Sequence, residues 1–334
     1  MRRPLPLWMQ PLVGVVIYPG LILFFGRAIS EHHQSGSALW ALAALLTMLL
    51  AMSIPALAIR ALMMMRQDER GVLTRAILYL MFAAPSLFTL SYSLTRVAGV
   101  DQHLSALWIS LWTVVGVMLY FRQGRTTPVS QPSDVTWLRA IHGGTALCVL
   151  CGFLIAHVIN HDLAVWSVAL HGTVMKFLRL WYRSEWVQPV LLTLLLIMLA
   201  TGVPMVLHHS RQRTDAFRVV QMATGVYIGV FLCSHVFAVL NGRRMGIETD
   251  WSFAAGPTSL LDGKYLRARL IPHYIFIVFF LTLHVACGLR IVLLHHGVTK
   301  LIANRILYGL AAAGVVVTAL SAAALLGLHV QVTH

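Results

Sequence analysis

The chain has 334 residues, of which 58% are hydrophobic and 11% charged, and a formal net charge of +14. Soluble domains carry about 25% charged residues, so an ordinary water-soluble globule is excluded. The basic residues are scattered over the ends of apolar runs and form no continuous stripe. That pattern argues against nucleic acid as a partner. It leaves the positive charge to orient the chain in a lipid bilayer and to meet anionic headgroups.

The apolar runs predict nine membrane spans, at 7–26, 39–59, 76–95, 104–121, 139–159, 188–208, 218–240, 272–294 and 305–328. All are expected to be helices, because an open sheet in hydrocarbon leaves backbone groups unpaired. The expected fold class is an all-α polytopic transmembrane bundle. The first run opens with Met1-Arg2-Arg3, but it is long, is interrupted by Tyr18-Pro19-Gly20 and ends at Phe24-Phe25. Gly26-Arg27-Ala28 is a poor match to a signal-peptide cleavage site, so the run reads as a retained helix. The next three runs hold no histidine; His32, His33 and His103 sit in connections. With the N-terminus inside, the inner ends and loops hold 15 of the 25 Lys and Arg, and the outer connections 28–38 and 97–103 hold none. This asymmetry predicts an integral protein with its N-terminus inside, and a bacterial inner membrane is the expected location.

Residues 122–136 read as a polar linker rich in Pro, Ser and Thr. They divide a four-helix unit (residues 1–130) from a five-helix unit (131–334), and the intramembrane histidines belong to the second. The fifth run carries Arg139, His142, Cys148, Cys151 and His157. In the connection 160–187, Trp166, His171, Lys176, Arg179 and Trp181 interleave basic and aromatic residues, the pattern of a helix lying in the membrane interface. The sixth run holds Met198 and Gly202, and the seventh holds Gly225, Gly229 and His235. Connection 241–271, with its Gly256-Pro257 turn, predicts a folded cap over the outer face. The eighth run carries His284 and Gly288. All four cysteines fall inside spans, which speaks against a disulfide framework and for small packing residues.

An ionisable side chain in a bilayer core is costly, so it has a partner or a task. His157 lies 18 residues from Arg139, and His235 lies 17 residues from Arg218. At roughly 1.5 Å of rise per residue the two imidazoles stand at matched depth. That is the arrangement that grips a haem iron from both faces; the plainer alternative is a structural histidine bonded to a backbone carbonyl. Gly152, Gly225 and Gly229 nearby give room for a flat macrocycle, or simply for close helix packing. His284, 11 residues from His273, is matched in depth by Met198, 12 residues from Trp186. Methionine can ligate haem iron, and it also serves as core filler. At the inner boundary stand His142, His208, His209, His295 and His296, with Arg139, Arg211, Arg213 and Arg218. They read either as solvated helix ends or as a quinone headgroup or proton-exchange site. There is no Gly-rich phosphate loop, zinc-protease pair or nucleophile elbow. The spans hold no paired carboxylates, which weighs against proton-driven transport.

Residues 137–294 resemble the single-chain, five-helix cytochrome b anchor of succinate dehydrogenases and fumarate reductases. The resemblance is carried by WLRAIHGGTALCVLCGFLIAHV, RVVQMATGVYIGVFLCSHV and LHVACGLR. It aligns Arg139 and His142 with the family's Arg-x-x-His start, and His157 with the ligand about four turns later. His235 aligns with the third-helix ligand behind a Thr-Gly pair, and His284 with the fourth-helix ligand. The resemblance implies an outer haem b on His157 and His235 and an inner haem on the second and fourth helices. At the second-helix position this chain has Met198 where the family has histidine, so the inner site is expected to be His/Met-ligated or missing. The resemblance also implies a quinone partner and flavoprotein and iron–sulfur subunits on the inner face. The extra helices at 1–121 are not part of the usual anchor. The expectation is a membrane b-type haem protein passing electrons between quinone and a partner subunit. A non-catalytic redox- or quinone-sensing or anchoring module is the alternative, and a transporter a third.

Overall fold

A computed structural model describes residues 6–65, 71–122, 134–212, 215–262 and 265–329, and holds no strand among them. The chain begins with α1 (Met9–Ser35), α2 (Ala38–Met64), α3 (Val72–Phe82), α4 (Ala84–Val97) and α5 (Leu104–Phe121). It continues through α6 (Thr136–Val149), a π-helical turn (Leu150–Leu154), α7 (Ile155–Asp162) and α8 (Val168–Tyr182). Then come α9 (Val187–His209), α10 (Ala216–Arg244), α11 (Trp251–Ala255), α12 (Tyr265–Ala268), α13 (Leu270–His295) and α14 (Lys300–Leu325). Eight spans among the described residues are long and apolar enough to cross a membrane, or nine if the bent pair α3–α4 counts as one span. The chain is an integral membrane protein with an all-α fold. Most of the linker expected at 122–136 lies outside the described residues.

Local chemistry sets the helix ends. Asp215 caps α10 by accepting the Arg218 N–H at 2.8 Å, and Ser167 caps α8 through the Leu170 N–H at 3.2 Å. Two elements differ from the sequence expectation. The outer connection 28–38 is helix as far as Ser35; Gly36, at φ 65°, ends α1, and α2 begins two residues later. The span expected at 76–95 is broken into α3 and α4, which meet at 75°. Pro85 stands in the first turn of α4, where its missing N–H does no harm. In an unbroken helix its ring would crowd the carbonyl of Met81, and the break falls here.

Between lipid-facing helices there is no hydrophobic drive to associate, so close backbone approach has to hold them. A Cβ added to Gly314 (α14) would stand 2.8 Å from Thr282 (α13), and one on Gly14 (α1) 2.9 Å from Ile54 (α2). The helices pair as α1/α2, α13/α14, α10/α13 and α6/α9, with α3 and α4 laid against α10. One buried core, including Tyr18, Ile54, Leu78, Met81, Tyr227 and Phe280, therefore crosses the boundary between the two ends of the chain. Buried Arg75 of α3 donates to the Ser210 carbonyl just past α9, at 2.7 Å. The α6–α7 and α9 spans are packed most loosely. Only 6% of their most apolar stretches is buried, against 39% in α1 and α2.

Candidate functional site

The histidines of the second half of the chain gather in two layers. The outer layer starts where the π-helical turn hands over to α7. His157 of α7 and His235 of α10 have ring centres 6.1 Å apart, with ring planes at 67°. Phe153 stacks on His157 at 4.8 Å and Phe231 on His235 at 5.3 Å, fixing each ring from its own helix. The depth matching read from the sequence thus corresponds to a true pair.

More rings surround this pair than the sequence reading foresaw. His161, one turn on from His157, packs 4.6 Å from it, and His171 of α8 lies 5.3 Å from His161. Trp251 of α11 closes over His171 at 5.1 Å. The Nδ1–H of His171 donates to the Asn160 carbonyl at 2.8 Å, and burial holds its imidazole below the usual pKa. On the other side, Phe231 stacks on buried His273 of α13 at 4.5 Å, and His273 Nδ1 shares a hydrogen bond of 3.0 Å with Ser86 of α4. Buried Asp162 accepts from Ser321 of α14. The four-residue step in His157-Val158-Ile159-Asn160-His161 signals one helix face; nothing local in the sequence places His171, His273, Phe231 or Trp251 beside it.

The inner layer joins α6 to α9 and α10 to α13. His142 of α6 lies against α9, its Nδ1 3.0 Å from Thr201 Oγ1. Thr201 spends its own proton on the Ile197 carbonyl at 2.7 Å, so His142 is the donor and its Nε2 keeps a lone pair. His284 of α13 lies against α10, its Nδ1–H donating to the Gln221 carbonyl at 2.9 Å, which leaves its Nε2 in the same state. Each ring passes over a glycine. A Cβ on Gly202 would be 3.5 Å from His142 Cε1, and one on Gly225 2.9 Å from His284 Cε1. Met198 is half-buried on α9, with its backbone beside the His142 ring. Arg139, at the inner end of α6, bonds Thr136 Oγ1 at 3.1 Å and lies within electrostatic reach of Arg218 and His209. At the helix ends His208 and His209 bond Gln212.

The outer pair fits a haem by a simple distance test. An imidazole–metal–imidazole sandwich with bonds of about 2.0 Å sets the two ring centres about 6 Å apart. His157, His235 and His284 are each half-buried. Among the described residues no three His, Cys, Asp or Glu side chains converge as a chelate for a bare metal ion. A haem needs only two axial ligands. Comparison with protein-family models, with curated proteins and with solved structures returns no match to this chain.

Proposed function

We propose that the chain is a membrane b-type cytochrome that passes electrons between a quinone and a partner protein, with His157 and His235 as the residues that would hold an outer haem. The observation that carries this reading is the 6.1 Å separation of those two rings on α7 and α10. Bound there, haem supplies one-electron redox chemistry. The chain's own part is positional. Phe153 and Phe231 hold the ligand rings, and Trp251 with α8 covers the outer end. Arg179 of α8 ties that cover down by bonding Glu248 and the Thr249 carbonyl. We place the N-terminus inside and the chain in a bacterial inner membrane, on the distribution of Lys and Arg. The resemblance to the succinate dehydrogenase and fumarate reductase anchors supports flavoprotein and iron–sulfur partners at the inner face.

A reduced-minus-oxidised absorption spectrum of the purified protein tests the reading. A b-type α band is expected. His157→Ala and His235→Ala should each remove the outer haem, and Met198→Leu should leave it in place. Protein purified without any b-type band would overturn the proposal.

A further inference from the structure

We infer that α8 and the end of α10 form a defined site for an anionic phospholipid, with the headgroup phosphate held by Arg183 and Arg243 and the acyl chains laid along the exposed side of α8. The inference concerns how the chain is seated in its membrane, and it stands whether or not haem is bound. Three observations carry it.

The first is a gathering of cations. Arg179 lies in the last turn of α8, and Arg183 follows four residues later at its end, a spacing at which like charges repel. Both aim a guanidinium nitrogen at one hydroxyl: Thr249 Oγ1 accepts from Arg183 at 2.8 Å and from Arg179 at 3.4 Å. Arg243, in the last turn of α10, donates to Gln188 Oε1 at 2.8 Å. The Gln188 N–H in turn bonds the carbonyl of Ser184, the residue after Arg183, at 3.1 Å. Short bonded links thus bring three guanidiniums to the connection between α8 and α9.

The second is a shortage of negative charge. Glu248 pairs with Arg179. Among the described residues Arg183 and Arg243 make no ion pair, and their side-chain bonds go to the neutral oxygens of Thr249 and Gln188. The Nε of Arg179 is buried without a hydrogen-bond partner. Arginine offers five N–H donors in a planar fork that matches phosphate, so the cluster has charge and donors left for an oxyanion.

The third places that oxyanion on a lipid. One side of α8 buries His171 and Met175, and Arg179 and Arg183 follow in further steps of four. The other side presents Phe177, Leu180 and Trp181, which are 72%, 77% and 60% exposed. A basic and aromatic helix with one apolar face lies in the membrane interface, at the level of the headgroups. A phospholipid answers both features at once. Free phosphate would meet the charges and leave the apolar side uncovered.

Lipid binding to the purified full-length protein in detergent tests this, with phosphatidylglycerol and phosphatidylcholine of matched chains. Bound lipid is counted by native mass spectrometry, and protection is read as the rise in unfolding midpoint. Wild type should prefer phosphatidylglycerol. An arginine beside an anionic headgroup strengthens binding roughly fivefold. Arg183→Gln and Arg243→Gln should therefore each weaken phosphatidylglycerol by about that factor and leave phosphatidylcholine unchanged, whereas Arg183→Lys should keep the preference. The double change Phe177→Ser and Leu180→Ser should weaken both lipids alike. Unfolding midpoints without lipid report that each variant is folded. Equal affinity of wild type for the two lipids, or an unchanged preference in both glutamine variants, would overturn the inference. So would equal protection by inorganic phosphate alone, which makes the arginines a free-anion site. Loss of a b-type band from Arg183→Gln with its lipid preference intact would overturn it as well, by assigning the arginines to the carboxylates of haem. Wild type without haem overturns the proposed function and leaves this inference standing.

Discussion

A glycine decides where the His284 ring can lie. His284 Cε1 rests where a Cβ on Gly225 would come within 2.9 Å, whereas the corresponding approach of His142 to Gly202 is an ordinary 3.5 Å. Gly225→Ala must therefore push the ring and strain its bond to the Gln221 carbonyl, at a cost of about 1–3 kcal/mol for overpacking. Gly202→Ala should be nearly silent. Heat-unfolding midpoints of the two variants, measured side by side, should show the first reduced and the second unchanged. Equal effects would show that the two glycines do not differ in this way. At this scale the sequence was informative where depth alone decides: Arg139 to His157 and Arg218 to His235 gave a pair that the structure brings together. Depth matching of Met198 with His284 was less informative, because it cannot say which helix faces which. His142, near the inner end of α6, sits beside Thr201 only because α6 packs on α9.

At the scale of elements, chain order was legible and breaks were not. Pro19 and Pro55 sit inside helices that continue, whereas Pro85 marks a break. In a bilayer, neighbouring helices and side chains can satisfy the carbonyls a proline frees, so proline alone does not predict a kink. The expected interface helix in 160–187 is present as α8, but it also brings His171 to the outer histidines. Burial keeps His171 neutral at pH values where the unfolded chain takes up a proton. Its contribution to stability is thus present above the usual pKa of about 6.5 and is lost as pH falls below it. Arg179 and Asp250 face the ring with opposite charge and act in opposite senses, and burial outweighs both. The unfolding midpoint of the purified protein should fall between pH 7.5 and 5.5, and the fall should be shallower in His171→Asn. An identical slope in the variant would show that His171 is not the group titrating.

Over the whole molecule, the extra N-terminal helices are not a detached unit. Tyr79 and Phe82 of α3 pack with Tyr227 and Met222 of α10 and Phe280 of α13, and Ser86 of α4 reaches His273. Arg75 ties α3 to the α9–α10 connection through the Ser210 carbonyl. Arg75→Met removes a charged, buried donor and should destabilise the chain by about 1–3 kcal/mol. It should also lower the yield of folded protein measured by size-exclusion chromatography. A variant as stable as wild type would mean that the Arg75–Ser210 bond does not help to hold the ends of the chain together.

The sequence by itself determined that the chain lives in a bilayer, that it is helical throughout its spans and that histidines recur within the spans of its second half. Composition and length carry that information, because hydrocarbon admits few alternatives. It also determined the depth of each histidine, since helical rise is fixed. The tertiary structure alone decided the azimuth: which helix each imidazole faces, that His161, His171 and His273 join the outer pair, and that His142 lies against α9 and His284 against α10. Those outcomes depend on packing among helices far apart in sequence, where close contacts between small residues and a broken span set the arrangement and no local pattern records it.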